Sequence, residues 1–163
     1  MSGIIGYQSI SGKSGILGRL PFFVARGSNA TGAISQSGYE FINYSWVDQG
    51  GGSSFTNSTG RFTAPITGNY FFTLDCMAVG GQPSNVVVRA FIRKNNAAND
   101  GSTDGAIQIR IDDGDAGAAE YETGHASVIF QLDAGEYVSA YTSTGYIYGG
   151  DSNYFAFTGR YLP

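Results

Sequence analysis

The chain alternates between apolar and polar positions with a period of two, and it does so in short runs separated by turns. That period places successive side chains on opposite faces of a strand. Pro21-Phe22-Phe23-Val24-Ala25-Arg26 reads as a first strand. Tyr39–Tyr44 alternates, with Tyr39, Phe41 and Asn43 on one face. Asp48 to Ser54, with Gly50-Gly51-Gly52 inside it, reads as a loop. Arg61-Phe62-Thr63-Ala64 is a short strand stopped by Pro65. The longest early strand runs from Tyr70 to Val79. Tyr70, Phe72, Leu74, Cys76 and Ala78 share one face, and Phe71, Thr73, Asp75, Met77 and Val79 share the other. Both faces are partly apolar, so burial is expected on both sides, one in a core and one against a second subunit.

Val86 to Lys94 is the next strand, with Val86, Val88, Ala90 and Ile92 opposed to Val87, Arg89, Phe91 and Arg93. A polar loop over Asn95–Asp104 precedes a short extra strand at Ala106–Ile111 and a turn at Asp112-Asp113-Gly114-Asp115. His125 to Leu132 carries Ala126, Val128, Phe130 and Leu132 in register. Ala134-Gly135 turns into Tyr137–Thr142, and Gly149-Gly150-Asp151 turns into a last strand at Tyr154–Leu162. No segment holds a helical period beyond one turn. Many short strands with glycine turns between them predict an all-β sandwich.

Residues 1–20 break this pattern. They form a Gly/Ile-rich arm with a near repeat, Ser2-Gly3-Ile4-Ile5-Gly6 and Ser14-Gly15-Ile16-Leu17-Gly18. The glycines lack the strict period of a collagen stalk. Either the arm is a flexible tether, or Ile4, Ile5, Ile16 and Leu17 anchor it to another protein. The expected organisation is this arm followed by one globular unit over 21–163.

Composition narrows the possibilities. Charged residues are 13 % of the 163, about half the usual share, while aromatics reach 14 %. The formal net charge of −4 and the lack of a basic stripe speak against nucleic acid as a partner. The opening MSGIIGYQSI has no basic region followed by a long apolar stretch, so no signal peptide is expected, and no run suits a membrane span. Synthesis in a reducing cytoplasm follows, with the single Cys76 as a buried, inert thiol. The sequons at Asn29, Asn43 and Asn57 are then chance occurrences.

Candidate chemistry is thin. His125 is the only histidine, and no G-x-S-x-G elbow exists, so catalysis is not expected. One His and one Cys do not make a zinc site. Asp112, Asp113 and Asp115 offer oxygens, but without the spacing or closing Glu of a calcium loop they read as a solvated turn. No metal and no cofactor are expected. Tyr141, Tyr146 and Tyr148, followed by Asp151, gather around a glycine-rich loop. They read as a candidate glycan-contacting surface or as packing between subunits.

Three stretches in order carry a resemblance. Thr59-Gly60-Arg61-Phe62-Thr63-Ala64-Pro65-Ile66-Thr67-Gly68-Asn69-Tyr70-Phe71-Phe72 is similar to the "T-G-x-F-x-x-P-x-x-G-x-Y-x-F" signature of the complement component one-q globular heads. Val128 to Val138, with Gly135-Glu136, resembles their "L-x-L-x-x-G-D-x-V", with Glu136 where the family usually has Asp. Asn153 to Leu162, with Phe157-Thr158-Gly159, resembles their closing "F-S-G-x-L". Phe23-Val24-Ala25-Arg26 matches the family's first strand. Within the last motif, the missing side chain at Gly159 is expected to let a neighbouring ring pack close.

The resemblance implies a ten-stranded antiparallel jelly roll, of the kind shared with tumour necrosis factor, and a tight homotrimer. Some relatives hold calcium near the trimer axis. With no collagen stalk, a free-standing head on a short arm looks like the versions found in bacteriophage virions. The expected function is therefore a non-enzymatic virion module, made in the host cytoplasm. It would be a fibre head touching the host, or a capsid or tail decoration, held to another virion protein by its arm. The alternative is a secreted or surface lectin-like module that recognises glycans.

Overall fold

The computed structural model describes residues 20–27, 33–35, 39–78, 87–95, 106–112, 122–144, 146–148 and 154–163. Among them there are thirteen strand segments and no helix. They are β1 (Phe22–Arg26), β2 (Ala33–Ser35), β3 (Tyr39–Glu40), β4 (Trp46–Gly50), β5 (Ser54–Thr56), β6 (Arg61–Thr63), β7 (Gly68–Ala78), β8 (Val87–Lys94), β9 (Ala106–Asp112), β10 (Glu122–Leu132), β11 (Tyr137–Thr144), β12 (Tyr146–Tyr148) and β13 (Phe155–Leu162). All pair antiparallel, in a seven-stranded and a six-stranded sheet. β10 takes one edge of β7 along its whole length, so β13 and β12 share the other edge. β2 continues the line of β1 against β12. In the second sheet β8 takes one edge of β11, and β6 and β3 share the opposite one. The thirteen segments therefore fill ten lanes, five in each sheet, which is the expected ten-stranded jelly roll.

Alternation decides what faces inward. On β7, Tyr70, Phe72, Leu74, Cys76 and Ala78 are buried, as expected of that face. Phe23, Phe72 and Phe157 from the first sheet meet Phe55 and Phe62 from the second. Phe23 stacks on Phe55 at 4.6 Å and on Phe62 at 5.2 Å, with Phe157 edge-on at 5.0 Å. Offset and edge-to-face contacts of this kind add to the area that the rings bury. Gly159 makes the cluster possible. A Cβ there would strike the Phe23 ring and lie 2.7 Å from that of Phe72, so the room left by glycine is occupied by two rings.

Some local expectations need correction. The run Tyr39–Tyr44 is a strand only over Tyr39–Glu40. Asn43 is left-handed, with φ of 51°, and is exposed, whereas Phe41 and Tyr44 are buried. Asn57 causes this. Its side chain accepts the Tyr44 N–H at 2.6 Å and donates to the Tyr44 carbonyl at 3.0 Å, and its own carbonyl accepts from Asn43 N at 2.8 Å. The chain bends onto Asn57 instead of continuing a ladder, and Asn tolerates the left-handed conformation better than most residues. The stretch Asp48–Ser54 is not a loop throughout. β4 runs to Gly50, paired with β1, and β5 resumes at Ser54. Gly51 and Gly52, at φ of 66° and 74°, make the turn, and the Gln49 side chain bonds both the N–H and the carbonyl of Phe55, tying the two sheets at this edge. At the opposite edge, Gly124 on β10 lets Ile109 and Ile111 of β9 close in.

Candidate functional site

The outward face of the first sheet is the most unusual surface. Here β1 contributes Phe22 and Val24, β7 Phe71, β13 Thr158 and Arg160, β10 His125 and Ile129, and β4 Trp46. The registers Phe22↔Arg160, Arg160↔Phe71, Phe71↔Ile129 and Arg26↔Trp46 put them side by side. Four large hydrophobic residues are exposed among the described residues. Three of them, Trp46, Ile129 at 58 % and Tyr154, lie on or beside this face; the other is Leu20. A shallow depression lined by Phe22, Val24, Phe71, Thr158 and Arg160 crosses its middle. Arg160 lies over the Phe71 ring at 5.4 Å and Arg26 over Trp46 at 5.6 Å, while Thr73 and Thr158 share a 2.7 Å hydroxyl bond. A contiguous apolar sheet face rimmed by such groups marks an interaction surface.

Further along this face, His125 and Asp75 sit directly opposite on β10 and β7, with Nδ1 and Oδ1 2.7 Å apart, and both are more than half exposed. Tyr154, Thr123 and Ala156 line a second depression with them. The neighbouring Cys76 points into the core. Burial, and then the negative charge of Asp75, push its thiol up to about 12, so it stays protonated and unreactive at neutral pH. The inert thiol expected from its apolar run is what the fold provides.

The second sheet presents a different outward face. Glu40 on β3 accepts from Arg93 Nη2 at 3.0 Å, from Arg61 Nη2 at 3.3 Å and from the buried Ser139 hydroxyl at 3.2 Å. Arg61 lies over Tyr137 at 4.4 Å and Arg93 over Tyr141 at 3.8 Å. At the edge of the sandwich, Lys94 pairs with Glu136 at 2.6 Å, and Glu136 also takes the Asp133 N–H at 2.8 Å. The Glu136 carboxyl is held below its ordinary value, first by the Lys94 hydrogen bond and then by that backbone N–H.

Of the four residues read as one aromatic loop surface, the two whose side chains are described stand in different sheets. Tyr141 is on β11 in the second sheet, against Phe91 and Arg93; Tyr148 is on β12 in the first, edge-on to Tyr154 at 5.3 Å. The chain changes sheet between β11 and β12, which parts them. The Tyr146 side chain and Asp151 lie outside the described residues, as do Ile4, Ile5, Ile16 and Leu17 of the arm and the acidic pair Asp113 and Asp115. Among the described residues no group of three or more His, Cys, Asp or Glu is placed to hold a metal. Sequence reasoning missed Glu40, Arg61, Arg93 and Ser139, whose partners are 21 to 99 positions apart and carry no local pattern.

Two five-lane antiparallel sheets packed around an aromatic core define a jelly-roll sandwich of the tumour necrosis factor type. The C1q domain family matches residues 22–162, and the chain belongs to that family. Among solved structures, the globular domain of the zebrafish complement 1qA protein is 14 % identical, covers 88 % of this chain and 98 % of its own, and superimposes with a TM-score of 0.56. The Eiger TNF from S. frugiperda is 11 % identical, covers 89 % and 94 %, and gives 0.61. At such identities the likeness establishes the fold. Domains of this class are often non-enzymatic and commonly form homotrimers.

Proposed function

We propose that this chain is a non-enzymatic homotrimeric head whose copies pack through the outward face of the first sheet. The observation that carries the reading is the apolar strip Phe22, Val24, Phe71 and Ile129 on this face, of which the described residues leave the first three half-buried and Ile129 exposed. A stable assembly of this kind buries roughly 2,000 Å² or more in total. Sedimentation equilibrium tests it: a trimer at micromolar concentration is expected, and a monomer there overturns the reading.

In its finer form the proposal places the trimer in a bacteriophage virion, as a fibre head or a capsid or tail decoration. Residues 1–20 anchor it to another virion protein, and the jelly roll faces outward. The arm's composition supports this, because each of Ile4, Ile5, Ile16 and Leu17 contributes about 1.5–3 kcal/mol when fully buried in a partner and nothing in water. The glycines between them suit an extended segment laid in a groove or along a sheet edge. Deleting residues 1–20 is expected to leave the trimer intact and abolish incorporation into particles. Incorporation of the truncated head at normal copy number overturns the anchoring role.

A further inference from the structure

We infer that assembly of this chain is coupled to the protonation of His125, so that the trimer tightens as pH falls through the range in which an imidazole takes up its proton. The inference rests on the proposed packing through the outward face of the first sheet, and it names a regulation of that face. His125 is the only histidine of the chain, so no other imidazole titrates with it. It stands on β10 opposite Asp75 on β7, with Nδ1 and Oδ1 2.7 Å apart. The same two strands carry Ile129 opposite Phe71, four residues on, about 13 Å along the sheet. An interface of the size that a stable trimer needs extends over that distance. On the other side of the pair stands Tyr154, 43 % exposed, which lines a depression with both residues. Apolar surface therefore flanks the pair on two sides.

Among the described residues, charge around the imidazole is sparse. On β7 the outward neighbours of Asp75 are Thr73 and Met77, and on β13 Ala156 is the residue opposite Asp75. Thr123 and Ser127 share the outward face of β10 with His125, while Glu122 has the opposite parity at the start of that strand. β9 brings Ile109 and Ile111 to the inner side of β10 at Gly124, and Arg110 between them is exposed on the other face of its strand. Lys94 of β8 reaches β10 at the Gln131 carbonyl, six residues from His125. Asp75 is thus the charged group that faces the ring, with the Tyr154 phenol beside them.

Burial decides the sign of the coupling. In one chain both side chains are more than half exposed, and water screens the pair. A second copy laid on this face removes that water. An ionised carboxylate only accepts, so Nδ1 carries the proton of the bond to Asp75 whether or not Nε2 is protonated. With Nε2 bare, the pair keeps the full negative charge of Asp75, and burying an uncompensated charge is costly. With Nε2 protonated, the pair has no net charge, and its two ions compensate each other's loss of water. The assembled chain therefore holds the imidazole proton more tightly than the free chain does. The resulting stabilisation of the trimer is complete below the pH at which the free imidazole titrates. It is lost as pH rises through the higher value of the assembled state. Each of the three copies contributes its own proton, so the effect on the association constant is multiplied across them.

The test is sedimentation equilibrium of the full chain at about pH 6 and about pH 8.5, in enough urea that monomer and trimer coexist, with far-UV circular dichroism verifying that the strands persist. The association constant is expected to be at least about tenfold higher at the lower pH. His125→Asn keeps a neutral donor beside Asp75 and is expected to bring that ratio below about twofold. Asp75→Asn leaves the imidazolium without its counter-charge, so the sign reverses and this variant associates more tightly at the higher pH. A mere loss of packing weakens assembly equally at both values, so the reversal reads on the charge of the pair. A folded monomer under every condition overturns the packing reading and the coupling with it. A trimer whose association ignores pH, a pH dependence that survives in His125→Asn, or an Asp75→Asn variant that keeps the original sign overturns the coupling alone and leaves the packing standing.

Discussion

The two sheets of this sandwich share a core and differ on their outer sides. The first sheet turns Phe22, Val24, Phe71 and Ile129 outward; the second turns Arg61, Arg89, Arg93 and Tyr141 outward around Glu40. Both are built on the same two-residue period, with aromatic rings on the inside. The contrast teaches that the pleat supplies two surfaces per strand and that the fold needs only one of them. Phe72 answers to the core, and Phe71, its neighbour on β7, answers to whatever covers the first sheet. Ala140 is enclosed by the fold. Ser139 beside it is just as buried, but on the outer side, where its hydroxyl donates to Glu40.

The sharpest way to break this comparison is on β7. Phe72→Ala is expected to cost about 3–5 kcal/mol, since it opens a cavity among Phe23, Phe62 and Phe157. Phe71→Ala is expected to lower stability in a manner that depends on protein concentration, because its loss acts through assembly. Denaturation at two protein concentrations separates them. A cost for Phe72→Ala below about 1 kcal/mol means the inner and outer faces are assigned backwards.

Next in size is Ile129→Asp. It is expected to keep the strand content while removing about 1.5–3 kcal/mol of association per copy, enough to yield monomers at micromolar concentration. Sedimentation with circular dichroism reads both quantities. A variant that stays trimeric moves the interface elsewhere.

On the other sheet, Glu40→Gln is expected to cost about 1–3 kcal/mol with trimerisation unchanged, because it removes the charge facing two guanidinium groups and weakens the acceptor of Ser139. A loss of trimer in this variant erases the distinction between the two faces.

The smallest expected effect is at the sandwich edge. The folded Glu136 carboxyl titrates below its ordinary 4.5, so its contribution is complete above that pH and is lost as pH falls through the lowered value. Glu136→Gln is therefore expected to reduce stability slightly at neutral pH and to make the acid decline shallower, measured by urea unfolding at about pH 7 and about pH 3.5. An unchanged acid decline means Lys94 does not hold this carboxylate in solution.

Much of the architecture is legible in the sequence. The alternation at Tyr70–Ala78 and the motif ending in Gly159 led to the jelly roll and to the right inner face, because a strand with one face in the core must keep its period. The short segments β4, β5 and β12 were less legible. Trp46–Gly50 and Ser54–Thr56 are short and largely polar, and pairing with β1 and β6 makes them strands, with no long apolar alternation of their own. Asn43 looked like one more alternating position until Asn57, fourteen residues on, drew the chain out of the ladder.

By itself, then, the sequence determined the fold class, the aromatic core and the burial of Cys76. These follow from local periodicity and residue volume, which are written in neighbouring positions. Only the tertiary structure decided that Tyr141 and Tyr148 belong to different sheets, that Glu40 joins Arg61, Arg93 and Ser139, and that Arg89 faces Arg110. Those relations depend on register between strands far apart in the chain, and cross-strand register emerges only when the two sheets close over a shared core.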